Sequence, residues 1–284
     1  MNWFDEGALY SQIGVFLRED MGRGDITTQS IITRNTRARG RFVANETMIV
    51  AGLEAVEEVF LTLDSQQQLE AFVSDGHEVE AGKVIARTIG FADVLITGEQ
   101  VALNLLQRLS GIATLTNQFV KAVEGTAAQI SDSRATTPGL RLLERYAVEL
   151  GGGRNSRFGL DDGVIITPNH IAIIGDVARA VAEAKQKLGY LHRINVYVNS
   201  EKDVTEAIAS GADVLIIEGL TSEQTSQLVA VARKLSSLIA VEFSGAISLE
   251  QVRQYAEAGV DLIRIDALTN SAPAKKIGFN IQSY

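Results

Sequence analysis

From Ala128 onward, six short apolar runs alternate with helical stretches, and this alternation limits the possible folds more than any other feature of the sequence. The runs are AQISDSR (128–134), GVIIT (163–167), INVYVN (194–199), DVLIIEG (213–219), IAVEFSG (239–245) and DLIRIDA (261–267). Helical spacing fills the gaps, as at 174–188, 200–210, 222–235 and 248–257. Strands separated by whole helices pair in parallel, because a hairpin cannot join them. One sub-pattern recurs: AIASGADVLIIEG (207–219) and QYAEAGVDLIRIDA (254–267) both read helix, Gly, Asp, strand. Gly211 and Gly259 are placed to end their helices, with Asp213 and Asp261 opening the strands. A parallel (β/α) barrel and a doubly wound sheet both satisfy the pattern. In either, chemistry gathers at the carboxyl ends of the strands. Those ends carry Asp132, Arg134, Thr167, Asn169, His170, Asn199, Glu218, Glu242, Ser244 and Asp266.

The first hundred residues read differently. Leu9, Ile13, Phe16 and Leu17 have helical spacing, and two glycines then interrupt REDMGRGDITT. A helix is expected from Leu53 to about Leu63. The alternating stretch QLEAFVSDGHEVEAGKVIARTIG, with turns at Asp75-Gly76 and Gly82, predicts short half-buried strands. Its turns also resemble those of lipoyl or biotinyl carriers, but no lysine stands in the expected hairpin. EQVALNLLQRLSGIATLTNQFVKAVEG (99–125) predicts one long helix, with SGIAT (110–114) as a site of close packing. Leu103, Leu106, Leu109 and Ile112 on that helix are a candidate contact with a second copy of the chain.

Composition removes several function classes. The chain has 284 residues, 46% hydrophobic and 21% charged, so it can bury a core. A net charge of −9 makes a nucleic-acid partner unexpected. There is no cysteine, which excludes disulfides, thiolate metal sites and thiol nucleophiles. His77, His170 and His192 fit no metal-ligand spacing. No apolar run reaches 18 residues and MNWFDEGALY does not read as a signal peptide, so a cytoplasmic protein without a membrane partner is expected.

The richest stretch is DSRATTPGLRLLERYAVELGGGRNSRFGLDDGVIITPNH (132–170). Arg134 and Arg157 are candidate anion ligands, since a guanidinium fork matches a carboxylate or phosphate. The triplet Gly151-Gly152-Gly153 allows close approach of backbone. SGAIS (244–248), between a strand and a helix, is readable either as a phosphate cradle or as a plain βα turn. His170 is readable as a general acid or as a helix cap.

Together LREDMGRGDITT, QRLSGIATLT, the 132–160 block, Asn169-His170-Ile171, Glu242-Phe243-Ser244-Gly245 and GVDLIRIDALTNSAPA resemble the quinolinate phosphoribosyltransferase family, in order and over nearly the whole chain. The resemblance implies an α/β protein with two domains. An N-terminal α/β sandwich would span 1–108 with 271–284, and an incomplete parallel α/β barrel would span 109–270. It also implies a cytoplasmic homodimer with the active site partly completed by the partner chain. The implied activity joins quinolinate and phosphoribosyl pyrophosphate to nicotinate mononucleotide, carbon dioxide and pyrophosphate, with Mg²⁺.

Carried over position by position, the resemblance places Gln100, Ser133, Arg134, Ala135, Ser156, Arg157, Thr167 and His170 at substrate positions. Glu218, Ser244, Gly245, Asp266 and Ala267 fall at phosphate or ribose positions. The family pattern has Arg at 100, Lys at 135, His at 156 and Lys at 167. Its strand of alternating glutamates is here Asn195, Tyr197 and Asn199, which offer Mg²⁺ no carboxylate. Asp266 stands where the family has glycine, and Arg264, two residues earlier in a strand, is placed to offset it. Scaffold positions match while pocket positions change, and cations and acids are lost together, as expected when a pocket changes its ligand. Three functions follow: a divergent enzyme acting on a related heteroaromatic acid or nucleotide, an ordinary quinolinate phosphoribosyltransferase, and a non-catalytic binding or regulatory homologue. No catalytic residue is assigned, and the sequence does not identify the ligand.

Overall fold

The computed structural model describes residues 6–283. In chain order the elements are α1 (Glu6–Met21), α2 (Ile26–Ile31), β1 (Arg37–Ala44), β2 (Met48–Ile49), α3 (Leu53–Leu63), β3 (Gln68–Ala71), β4 (Glu78–Val79), β5 (Val84–Phe91) and α4 (Ala92–Ala122). There follow β6 (Gln129–Ser131), α5 (Arg141–Leu150), β7 (Val164–Ile166), α6 (Pro168–Ile174), α7 (Val177–Lys187), β8 (Ile194–Val198), α8 (Glu201–Ser210) and β9 (Val214–Glu218). The chain ends with α9 (Ser222–Leu235), β10 (Ala240–Ser244), α10 (Val252–Glu257), β11 (Leu262–Arg264), α11 (Ala267–Asn270) and β12 (Ile277–Ser283). Two compact units result. The first contains the residues up to Asn117, Thr137–Gly152 and everything from Ser271; the second contains Gln118–Thr136 and Gly153–Asn270.

The first unit is an α/β sandwich on a four-stranded sheet of order β12-β1-β5-β3, whose paired strands are antiparallel. β1 alternates exposed and buried residues, so one face meets the core. There Phe42 lies 4.5 Å from Phe279 and 6.3 Å from Phe60, ring centroid to ring centroid. The expected short strands at 68–90 are β3, β4 and β5. The long helix begins at Ala92, earlier than its pattern suggests. Gly98 sits inside the helix against the Phe60 ring. At Gly111 a Cβ would lie 2.2 Å from the Pro273 carbonyl oxygen, and at Gly151 one would lie 2.5 Å from that of Ala113. The glycines of SGIAT and the triplet thus permit contacts within this unit. Ser110 and Thr114 hydroxyls accept the Ala51 and Ile49 N–H groups at 3.1 and 2.9 Å. Leu106, Leu109 and Ile112 are buried inside the chain. Three of the four positions expected to meet a second copy are therefore covered within the chain, while Leu103 is half-buried.

Asp75 ties this unit together across the sequence. Its carboxylate accepts the Gly52 N–H at 2.9 Å, the Leu53 N–H at 3.2 Å and the Tyr146 hydroxyl at 2.9 Å. It therefore caps α3 from 22 residues away in sequence. Burial pushes its pKa above the ordinary 3.8, although the backbone and Tyr146 hydrogen bonds oppose the shift.

The second unit is a six-stranded, wholly parallel sheet of order β6-β11-β10-β9-β8-β7. β6 and β7 are its two ends, so the barrel is incomplete; beyond β6 there is a single parallel bridge, Ser131 to Arg154. β9 is buried from Val214 to Ile217, as a strand covered on both faces must be. All six sequence-predicted strands are present. Gly211 and Gly259 end α8 and α10 with φ of 92° at each, a backbone region that disfavours side chains. The aspartates after them do more than open strands. Asp213 Oδ2 accepts the Ile194 N–H at 2.7 Å, and Asp261 Oδ2 accepts the Val241 N–H at 2.7 Å. Each fixes the start of an adjoining strand, β8 or β10.

The raised Asp75 pKa has a sign that can be measured. Between the ordinary value and the raised folded value, the folded state binds the extra proton, so this group's stabilisation falls as pH rises. The stability of wild type relative to Asp75→Asn is expected to be larger below pH 3.8 than at neutral pH. Urea unfolding of both proteins at the two pH values checks this; a pH-independent difference would contradict it.

Candidate functional site

Three arginines converge on a cleft of about 290 Å³ at the carboxyl ends of the parallel strands. Ser133, Arg134 and Ala135 enter from the loop after β6, Ser156 and Arg157 from the loop before β7, and Ile165 and Thr167 from β7 and its end. Tyr197 of β8, Arg264 of β11 and Asp266 complete the wall. Larger concavities exist on the first unit: one of about 700 Å³ around Phe72 and His77 carries both signs of charge, and one of about 600 Å³ carries Arg41, Lys83 and Arg87, the last paired with Glu70. Both are lined by residues of the antiparallel unit, whereas parallel sheets bind ligands at the carboxyl ends of their strands. The arginine cleft is therefore the candidate site.

Asp132 holds the two loops together. It is fully buried, and its Oδ1 accepts the Ser156 N–H at 2.6 Å. The Ser133 hydroxyl accepts the Ala135 N–H at 3.0 Å, and the Thr269 hydroxyl donates to the Ala135 carbonyl at 2.9 Å. Arg157 Nη1 donates to the Gly163 carbonyl at 2.7 Å. Burial, and then the positive charges of Arg134 and Arg264, hold the Arg157 guanidinium below its usual pKa. A guanidinium held down in this way, by burial and by neighbouring positive charge, marks a place suited to an anion.

The other half of the wall is an ion pair. In strand register Tyr197, Ile216, Glu242 and Leu262 form one row across β8 to β11. Arg264, one pleat above that row, pairs with Glu242; both side chains are only 8% exposed. Its Nη1 also donates to the Tyr197 oxygen at 3.2 Å. Burial raises the Glu242 pKa, and the Arg264 charge opposes the shift. Arg264 thus pairs with Glu242, whereas the sequence suggested an offset to Asp266. Tyr197 and Arg264 were not among the sequence-predicted ligands. Their signal was strand parity: Asn195 with Tyr197, and Arg264 with Asp266, are polar residues two apart on strands that are otherwise apolar.

The remaining sequence-predicted residues lie as follows. Gln100 is on α4 in the first unit, where its amide donates to Asn104 Oδ1 at 2.8 Å. His170 is exposed, and its Nδ1 accepts the Thr167 N–H at 3.0 Å in a reciprocal cap of α6. This is the capping role. Glu218 is exposed at the end of β9, Ser244 is buried at the end of β10, and Ala267 follows Asp266 after β11. After Ser244-Gly245, α10 opens only at Val252 and without a side-chain cap, so SGAIS does not run directly into a helix N-terminus. Among the described residues no three His, Asp or Glu side chains gather as a metal site.

With this geometry in place, comparison with known proteins settles the family. Residues 112–280 match the C-terminal domain of quinolinate phosphoribosyl transferase, and residues 25–110 match its N-terminal domain. The chain belongs to the quinolinate phosphoribosyltransferase family. A probable carboxylating nicotinate-nucleotide pyrophosphorylase of Bacillus subtilis is 40% identical over 266 residues, covering 94% of this chain and 91% of the relative. The carboxylating nicotinate-nucleotide pyrophosphorylase of Mycobacterium leprae is 36% identical, covering 93% and 94%. The solved nicotinate-nucleotide pyrophosphorylase of Francisella tularensis superposes with a TM-score of 0.92 at 33% identity, covering 98% of both chains. The incomplete barrel of the second unit is thus the family's own.

Replacing Asp132 by alanine removes the buried acceptor of the Ser156 N–H and is expected to cost about 1–3 kcal/mol of stability. Denaturant unfolding measures this. An unchanged midpoint would show that the two arginine loops do not depend on Asp132.

Proposed function

We propose that this chain is a divergent quinolinate phosphoribosyltransferase-family protein. Its arginine cleft binds a small heteroaromatic acid or a derived nucleotide, and it turns over quinolinate poorly. One observation carries this reading: Ala135, Ser156 and Thr167, which replace a lysine, a histidine and a lysine of the family pattern, all line the cleft. Among the described residues, the cations of the lining are Arg134, Arg157 and Arg264. Loss of one charge-assisted contact to a developing charge commonly costs about 2–4 kcal/mol. Two such losses correspond to roughly 10³–10⁶-fold in rate.

Arg134 and Arg157 serve in this reading as the grip on a carboxylate, with the Ser133 and Ser156 segments positioning them. Glu218, Ser244, Gly245, Asp266 and Ala267 remain the proposed contacts for a ribose or phosphate part. A resident Mg²⁺ is poorly served by the donors. Asp266 is the one carboxylate in the lining, Glu242 is engaged by Arg264, and Asn195 and Tyr197 bring none. We derive no step through the metal.

A second reading, an ordinary quinolinate phosphoribosyltransferase, is favoured by 40% identity across 94% of the chain to the Bacillus subtilis relative. One assay separates the two. Purified protein with quinolinate, phosphoribosyl pyrophosphate and Mg²⁺ is expected to form nicotinate mononucleotide far more slowly than about 0.1–1 s⁻¹. A rate in or above that range would establish the second reading. Binding of an acid without turnover of any acid offered would mark a non-catalytic homologue.

A further inference from the structure

We propose that the open face of the first unit's sheet is a docking surface for an extended acidic segment of another protein. Strand parity sets the face. Ala38, Gly40 and Phe42 of β1 are buried on the core side, so Arg37, Arg39 and Arg41 lie on the opposite side and are exposed. The register places Arg41 opposite Arg87 of β5, and Arg37 opposite Phe91. Lys83, just before β5, joins Arg41, Arg87 and Phe72 around the concavity of about 600 Å³. Arg37, Arg39, Arg41, Lys83 and Arg87 thus gather on one side of a chain whose net charge is −9.

Little answers this charge within the chain. Glu70 of β3 stands opposite Arg87 and pairs with it. Among the described residues no acid engages the side chain of Arg41 or Lys83. Like charges directly opposite each other on neighbouring strands destabilise a sheet, and an anion laid across Arg41 and Arg87 offsets that repulsion.

The geometry favours carboxylates on an extended chain. The Arg37 guanidinium lies 5.0 Å from the Phe91 ring centroid, and that of Arg87 lies 5.7 Å from the centroid of Phe72. A stacked guanidinium keeps its planar fork available and loses less freedom when it grips a carboxylate. Arg37, Arg39 and Arg41 repeat every second residue, about 6.8 Å apart along the strand. An extended segment with Asp or Glu at alternate positions presents its carboxylates at the same interval, all on one side. A nucleic acid suits the face less well. Each ring already carries a guanidinium, so neither is a bare platform for a base. The three arginines span only about 14 Å, and beyond them the acidic chain repels a long polyanion.

Exposed ion pairs are individually weak and screened by salt, so the binding expected is micromolar and cooperative among several contacts. Fluorescence anisotropy tests this with the full chain and a short labelled peptide of alternating glutamate and threonine. Its affinity is expected to fall roughly tenfold between about 20 and 200 mM salt. Arg37→Gln/Arg41→Gln, with folding checked by circular dichroism, is expected to weaken the peptide roughly tenfold. Arg37→Lys/Arg87→Lys keeps every charge but loses the stacked forks, and is expected to weaken it several-fold. Arg134→Gln, in the arginine cleft, is expected to change nothing. Absence of binding at low salt, or binding that either double variant leaves unchanged, overturns the inference. Loss of binding in Arg134→Gln places the peptide in the cleft and overturns it as well. Tighter binding of a single-stranded oligonucleotide of equal charge would make this a nucleic-acid surface instead. Salt-sensitive self-association of the peptide-free protein, abolished by Arg37→Gln/Arg41→Gln, would make the occupant a second copy; either result contradicts the proposal.

Discussion

The arginine wall of the cleft depends on one buried ion pair, Arg264 with Glu242. Two charges only 8% exposed carry a large desolvation penalty, and each remains there because the other faces it. Removing either one alone leaves an uncompensated charge, so the pair behaves as a unit. The pair sits on neighbouring central strands, β10 and β11, whose register fixes which side chains share a face. Tyr197 is tied to it by a hydrogen bond from Arg264, while Arg157 is held by the Gly163 carbonyl. The result is a cavity wall that is cationic without containing a lysine or a histidine.

Rigid parallel strands deliver these side chains, and the loops between them carry the variation. Asp213 and Asp261 secure strand starts on the face opposite the chemistry in chain direction, while the strand ends supply Tyr197, Arg264 and Asp266. This division of labour lets a family keep its scaffold while the pocket changes. Asp132 marks the boundary between the two roles: it is buried like a scaffold residue, yet its hydrogen bond fixes the loop that carries Arg157 into the cleft.

Most of the fold was legible because it is written in local periodicity. The six strands of the second unit and the helices α7 to α10 follow from apolar spacing, and the structure adds the caps Asp176, Ser200 and Thr221. The start of α4 was not: the apolar spacing was read from Glu99, whereas the helix begins at Ala92, directly after β5. Of the positions assigned to a dimer face, Leu106, Leu109 and Ile112 are covered within the chain and Leu103 is half-buried: an apolar stripe on a helix does not say whether its partner is intramolecular. In the candidate site, Arg134, Arg157 and the neutral Ala135, Ser156 and Thr167 were recovered from one continuous block of sequence. Tyr197, Arg264 and Glu242 come from three different strands, and only the register between those strands brings them together.

A crystal structure of the protein soaked with pyridine-3-carboxylate tests the central claim most directly. The carboxylate is expected between Arg134 and Arg157, with the Arg264–Glu242 pair intact. A carboxylate bound elsewhere on the chain, or one bound in the cleft only through a divalent ion on Asp266, would contradict the account.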